Sequence, residues 1–254
     1  MKIFISIIIP LLLFADIADE DMDGVDDAND LCPNTPITDI VNDKGCSVER
    51  VSIPVEHHFD LSFGLAYTNV DKNTSQNYKI INFNYYYGDS WRLSLYSSTY
   101  RLQNDKSGSA DSSLDLSYNY YRDNIIFEYT LGLYLPTYNS SENEIDYYIR
   151  GSFIYSFDYI DSTFTYQHTI MNDIQTVDTD LATVSLGKHY GDLYTTIAYT
   201  VESSIYREMD YLEDATVSFY YKINDIIYIY ADITKGLNSS SIDQALSLSI
   251  GYSY

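Results

Sequence analysis

From His57 to Tyr254 the chain alternates apolar and polar residues through one segment of about ten residues after another, and no other feature restricts its fold so tightly. In the first segment Phe59, Leu61, Phe63, Leu65 and Tyr67 fall on one side of the alternation, and Asp60, Ser62, Gly64, Ala66 and Thr68 on the other. The fifth sets Ile125, Phe127, Tyr129, Leu131, Leu133 and Leu135 against Glu128, Thr130, Gly132 and Tyr134. The last sets Leu246, Leu248, Ile250, Tyr252 and Tyr254 against Ala245, Ser247, Ser249, Gly251 and Ser253. A period of two belongs to β-strands, whose successive side chains point to opposite faces. Twelve such segments begin near residues 57, 77, 90, 111, 125, 146, 162, 179, 193, 214, 226 and 243, so the expected fold class is all-β.

The connections alternate in length. Short ones fall at Gly88-Asp89, Arg122-Asp123-Asn124, Asp158 to Asp161, Gly191-Asp192 and Asn224-Asp225. Such residues take positive φ or bond their own backbone, as tight hairpins require. The remaining connections, 69–76, 103–110, 136–145, 171–178, 203–213 and 235–242, are longer and polar. Five short and six long connections suit an up-and-down antiparallel sheet with both ends on the short-turn side. Closed into a barrel, that sheet has no unpaired edge.

The two faces decide where such a barrel resides. In a soluble sandwich the polar face would meet water and carry Lys and Glu. Here it is mostly Ser, Thr, Asn, Gly, Ala and Tyr, which suits a crowded lumen. The other face is Leu, Ile, Phe and Tyr, with Tyr frequent near strand ends as in an aromatic girdle. A sheet facing lipid must be closed, because hydrocarbon cannot satisfy open backbone groups. The expected architecture over 57–254 is a 12-stranded antiparallel up-and-down transmembrane β-barrel. The chain ends "ALSLSIGYSY", which resembles the last strand of bacterial outer-membrane barrels. There a final aromatic, usually Phe, is the recognition signal for the assembly machinery; here it is Tyr254. The resemblance is to the class. It implies a location in the bacterial outer membrane, with outer-membrane lipid and the barrel-assembly machinery as partners.

The opening "MKIFISIIIPLLLFAD" has a basic residue, Lys2, then the apolar run Ile3 to Phe14 and the small residue Ala15. That is the pattern of a secretory signal peptide over residues 1–15, with cleavage after Ala15 or Ala18. The run falls short of the ~20 apolar residues of a membrane-spanning helix. No later segment has a long apolar run, so membrane contact is expected from strands alone.

A formal net charge of −23 argues against a nucleic-acid partner, since binding phosphates takes a basic footprint. The acid is concentrated between Asp16 and Arg50, where 11 acids stand against 2 bases. Within "ADEDMDGVDDANDLCP" seven of sixteen residues are acidic, and like charges so dense need a counter-charge or stay solvated. Counted from Asp19, Asp21 and Asp23 fall at positions 3 and 5, Gly24 at 6, Val25 at 7, Asp27 at 9 and Asp30 at 12. This is the spacing of a calcium loop, with the Val25 carbonyl as a backbone ligand and Gly24 permitting the bend. Ca2+, wanting 6–8 oxygens, suits this donor set; zinc does not, because no His or Cys lies at ligand spacing. The two cysteines, Cys32 and Cys46, would pair in an oxidising compartment. The loop so closed, about 15 residues, is worth roughly 3 kcal/mol in the chain-entropy account.

The stretch "DEDMDGVDDANDLCPNTPITDIVNDKGC" resembles the thrombospondin type 3 repeat, bacterial versions of which occur in outer-membrane protein A-like porins. The resemblance covers Asp19 to Cys46 and rests on the DxDxDGV core, the "DLCPNTP" step and the closing "VNDKGC". It implies calcium ligation by Asp19, Asp21, Asp23, Asp27 and Asp30, and pairing of Cys32 with Cys46. Asp39 stands where the bacterial pattern often has Gly, and Asn42 where Asp is usual; both weaken the case for a second ion. Unlike a helix–loop–helix site, the loop has Asp at position 12 and no amphipathic helix before it. The alternative is a solvated acidic linker. The expected organisation is a signal peptide (1–15), a calcium-binding module (16–50) in the periplasm, a linker (51–56) and the barrel (57–254).

Parity turns Arg92, Asp115, Glu128, Arg150, Glu202, Lys222 and Asp232 inward. An anion-selective channel would want a basic ladder, which this set lacks; internal ion pairs bracing the barrel are the simpler reading. The expected function is a calcium-binding, porin-like channel for small solutes. A non-conducting structural or adhesion-related envelope protein is the alternative, its module meeting a periplasmic envelope partner, and 29 Tyr make a filled lumen its natural form. An outer-membrane lipid hydrolase comes third. Of the histidines His57, His58, His168 and His189, His168 points outward, but Ile170 stands where such an enzyme has its serine, two residues on. No nucleophile, base and orienting group can be named together, so no enzymatic activity is expected.

Overall fold

In a computed structural model the alternating segments are strands: β1 (His57–Asp71), β2 (Thr74–Tyr87), β3 (Trp91–Leu102), β4 (Ser107–Ser109), β5 (Ser112–Arg122), β6 (Ile125–Leu135), β7 (Asp146–Ser156), β8 (Asp161–Ile170), β9 (Thr179–Tyr190), β10 (Leu193–Glu202), β11 (Leu212–Lys222), β12 (Ile227–Gly236) and β13 (Gln244–Ser253). The structure describes residues 19, 21, 24–35, 41–47, 56–71, 74–103, 106–138, 143–157, 160–172, 176–206 and 210–254. The expected signal peptide, Asp23 and linker residues 51–55 lie outside the described residues.

Apart from β4 and β5, strands adjacent in sequence pair antiparallel, and β1 pairs with β13, which closes the sheet. The short β4 and the longer β5 lie end to end along β3, so together they make one stave of a 12-stranded barrel. No helix occurs among the described residues. At the seam Phe63 stands opposite Ile250 and Leu65 opposite Leu248, while Gly64 stands opposite Ser249. Register thus matches apolar with apolar and small with small; a slip of one residue would turn a whole strand inside out. Tyr254 extends the seam, exchanging backbone hydrogen bonds of 2.7 and 2.9 Å with Phe59.

The hairpin chemistry is local. Gly88 and Gly191 take φ of 58° and 62°, and Asp123 takes 51°, as expected for the shortest connections. Asn224 caps the β11–β12 turn, its Oδ1 accepting from the Ile226 and Ile227 amides at 2.9 and 2.8 Å. Two expectations need correction. Residues 69–76, read as a long loop, are largely strand: Thr68 pairs with Gln76, Asn69 with Ser75 and Asp71 with Thr74. Their polarity suggested a loop, but sheet hydrogen bonding continues where side chains no longer need to be apolar. The stretch 103–110 contains β4, held to β3 through Thr99, Tyr100 and Arg101.

Burial is inverted relative to a water-soluble sheet. Leu65 and Ile197 are 65% exposed and Leu248 57%, while Ser117 is fully buried and Thr130 is 2% exposed. Tyr148 is the sole buried large hydrophobic among the described residues. Leaving a Leu or Ile in water costs about 1.5–3 kcal/mol relative to burying it, and this belt runs around the whole cylinder. At its short-turn end it carries exposed aromatics, among them Tyr85, Tyr87, Trp91, Tyr120, Tyr190 and Tyr252.

The chain divides into two units, Met1–Pro54 and Val55–Tyr254. In the first, a disulfide joins Cys32 and Cys46 with Cα atoms 4.9 Å apart. Around it the Leu31 amide donates to the Lys44 carbonyl at 2.9 Å, Val41 and Ser47 form a β-bridge, and buried Thr35 sets its hydroxyl between the carbonyls of Cys32 and Gly45.

Candidate functional site

Two regions hold the sequence-predicted functional residues, and each is described by itself. In the acidic loop, Gly24 takes φ of 93°, the left-handed conformation a calcium-type loop asks of this position. Its amide donates to Asp19 Oδ2 at 3.0 Å. Asp21 Oδ2 accepts from the Thr35 amide at 2.6 Å, and Asp30 Oδ1 from the Cys32 amide at 2.7 Å. Asp27 is exposed and Val25 half-buried. The acids of this loop therefore fold the backbone around themselves, as Asp and Asn do in Asx turns. Asp21 Oδ1 is buried with no hydrogen-bond partner among the described residues. A buried carboxylate oxygen left so is costly, and a hard cation would satisfy it. Among the described residues no three Asp, Glu, His or Cys side chains converge as a metal cluster. Asp23, the central acid of the motif, lies outside the described residues.

The lumen is the second region. All seven charged residues assigned inward by parity share the face of Ser62 and Gly64 through the continuous register. Asp60, Asp146, Asp161 and Asp214 join them there. Side chains divide this face into two walls. Along β3 and β5–β8 they interlock. Arg92 Nη2 reaches Glu128 Oε2 at 2.9 Å and Ser117 Oγ at 3.4 Å, and Ser117 is 2.9 Å from Thr130 Oγ1. The Tyr148 hydroxyl donates to Asp115, Arg150 lies over the Tyr148 ring at 5.8 Å, and Gln167 donates to Tyr134 at 3.3 Å. Only part of the expected bracing is ionic: Arg92 pairs with Glu128, while Lys222 turns to Asp225 in the adjoining turn at 2.9 Å.

The opposite wall, β10–β13 with β1, carries small residues at mid-height. Ala66, Ala198, Thr216, Ser218, Thr234 and Ser247 border a cavity of about 390 Å3 inside the barrel, with Tyr230 and Asp232 on its rim. Threonine pairs link strands here, Thr216 to Thr234 within this wall and Thr183 on β9 to Thr200 on β10, each at 2.9 Å. Four inward tyrosines occupy the space a Cβ would take at glycines on neighbouring strands: Tyr148 at Gly132, Tyr194 at Gly187, Tyr228 at Gly251 and Tyr100 at Gly108. Without a Cβ on the glycine, the ring rests on the wall instead of crossing the lumen.

Outside, His168 faces away from the lumen as expected, and the register adds a partner the sequence did not disclose. Asp180 on β9 stands opposite it, 2.9 Å from Nδ1, and also accepts from Tyr166 Oη at 2.6 Å. This supplies a base and an orienting carboxylate. No hydroxyl or thiol nucleophile hydrogen-bonds to His168 among the described residues.

No family model matches the sequence, and no curated protein matches it. Among solved structures the chain is similar in fold to an outer membrane channel from Pseudomonas putida F1, at 12% identity, with 82% of this chain and 100% of that chain covered and a TM-score of 0.61. It is also similar to the NanC porin, at 13% identity, with 77% of this chain and 98% of that chain covered and a TM-score of 0.57.

Proposed function

We propose that the chain is a porin-like channel of the bacterial outer membrane, exported by its leader and passing small solutes, with a calcium-binding module (16–50) in the periplasm. The observation that carries the reading is the inverted burial: a closed cylinder with Leu65, Ile197 and Leu248 bare outside and Ser117 and Thr130 buried inside. Such a surface is stable only where its surroundings are apolar. The small-residue wall and its cavity leave space for solute beside the packed wall. Both similar structures are themselves described as a channel and a porin, which supports the reading by analogy of architecture. In the module, Asp19, Asp21, Asp23, Asp27, Asp30 and the Val25 carbonyl would hold Ca2+, and the bare Asp21 Oδ1 favours this. Bound calcium would offset the repulsion among these carboxylates; the Cys32–Cys46 bridge closes the segment that follows them.

Planar-bilayer recordings of the folded protein, with calcium and then with chelator, test the reading. Discrete conductance steps are expected. A lumen packed by Tyr134, Tyr148, Arg150 and Gln167 along half its circumference favours a second reading, a non-conducting envelope protein. Silence under all voltages and salts, from protein that inserts and folds, would establish that one instead.

A further inference from the structure

At the level of the cavity, burial differs between the two walls of the lumen. On the packed wall Ser98, Ser117, Thr130, Tyr148 and Thr169 are all buried, whereas Ala66, Ala198, Thr216, Ser218, Asp232 and Ser247 on the other are open to the interior cavity. We infer that ions cross along the β10–β13 wall, cations in preference to anions, and that Asp232 is the side chain that sets this preference. The inference rests on the channel reading and deepens it.

Among the described residues Asp232 is the one charged residue bordering the cavity. Its Oδ2 accepts a hydrogen bond from Ser247 at 3.0 Å, and no ion pair of the described residues includes it. The inward bases are placed elsewhere. Arg92 is bound to Glu128 and Arg150 lies over Tyr148, both on the packed wall, while Lys222 is engaged by Asp225 at the short-turn end. Asp232 stands opposite Ser247, Asp214 opposite Gly236, and Asp60 opposite Ser253. Four residues along β12 and six along β13 separate these levels, roughly 13 and 20 Å at the rise of a strand. Each spacing exceeds the Debye length of about 8 Å at physiological salt. Asp232 and Asp60 therefore act as separate steps, and Asp214, with Glu202 diagonally across from it on β10, as a third; the steps do not gather into one binding site. Low-dielectric walls focus the field of each step on the path. An anion would meet the same steps with no free base beside them.

Reversal potentials in a potassium chloride gradient test this. Wild-type channels are expected to favour potassium over chloride. A unit charge about 5 Å from a passing ion, screened as in water, changes that ion's occupancy about fourfold. Asp232→Asn should therefore lower the cation-to-anion permeability ratio by about fourfold or more, and Asp232→Lys should reverse the sign of the reversal potential. Asp115→Asn removes a carboxylate from the packed wall and should leave the ratio nearly unchanged. The measurement is made per open channel, so reduced folding yield in a variant does not enter it. Wild-type channels that prefer chloride, or an Asp232→Asn channel with the wild-type ratio, overturn the inference and leave the channel reading standing. An Asp115→Asn effect as large as that of Asp232→Asn overturns the placement of the path. No conductance from folded wild-type protein overturns the channel reading, and this inference falls with it.

Discussion

Replacing Gly251 by alanine is expected to drive a tyrosine into the lumen. Gly251 points inward on β13, opposite Tyr228 on β12 and Ser62 on β1. A Cβ at this position would lie 2.0 Å from Tyr228 Cζ, where ordinary contact begins at 3.4 Å, so the ring must withdraw by about 1.4 Å. The new methyl lies between ring and wall, which leaves the barrel axis as the direction of retreat. Withdrawal also disturbs the Tyr220–Tyr228 pair, whose centroids are 5.1 Å apart. Overpacking of this kind typically costs about 1–3 kcal/mol, and losing an aromatic pair is worth about 0.5–1.5 kcal/mol; a destabilisation of about 1–3 kcal/mol is expected. Urea unfolding in lipid vesicles measures that cost, and single-channel recording measures the narrowing. Conductance should fall in Gly251→Ala and fall further in Gly251→Val. Adding Tyr228→Ala to Gly251→Ala removes the displaced ring and should restore it. A folded Gly251→Ala channel with wild-type conductance would refute the claim that the glycine keeps the ring against the wall.

Three other outcomes follow from the same geometry. Leu248→Arg, on the lipid face, should cost about 2–4 kcal/mol if the position lies near the bilayer midplane, whereas Ser247→Arg, its neighbour on the lumen face, should cost much less; equal costs in vesicle unfolding would contradict the assignment of faces. Trp91, the single tryptophan, is exposed among the aromatics of the short-turn end, so its emission should shift to the blue on insertion and be quenched more by bromines near the headgroup than by bromines at the acyl-chain end. In the acidic loop, calorimetry of the full chain in detergent should give calcium heat at millimolar concentration that Asp21→Asn weakens; no heat from the wild-type chain would remove calcium from the reading.

Much of the barrel was legible because a period of two makes each error visible. The inward placement of Arg92, Glu128 and Asp232 needed only parity, and the register carries that parity unbroken around the sheet. The turns at Gly88, Asp123 and Gly191 could be read from residue chemistry alone, since positive φ selects few residues. The expected loop at 69–76 failed because polarity marks distance from hydrocarbon as readily as departure from a strand. Asp180 escaped notice as the partner of His168 for another reason. The two lie on successive strands, twelve residues apart, and which residue faces which depends on how the connection between them is laid, which periodicity does not specify. The acidic loop shows a similar limit. Spacing predicts which carboxylates could converge on an ion, but not that Asp19, Asp21 and Asp30 already accept backbone amides.

The division of the lumen into a packed and an open wall has the least obvious origin in the sequence. Composition alone, with 29 Tyr, points to a lumen full of rings. Four of the inward tyrosines meet a glycine on the neighbouring strand. Gly132 opposite Tyr148 and Gly251 opposite Tyr228 each remove the one atom that would hold the ring away from the sheet. The two rings then diverge in use. Tyr148 is fixed by Asp115 and Arg150, so it thickens a wall. Tyr228 has Tyr220 beside it and Lys222 opposite it on β11, and Lys222 is drawn off to Asp225. The same Tyr–Gly pairing therefore supports different roles, one ring held by Asp115 and Arg150 and the other paired with Tyr220. Pairing by register, and not abundance, determines how much of the lumen the tyrosines occupy.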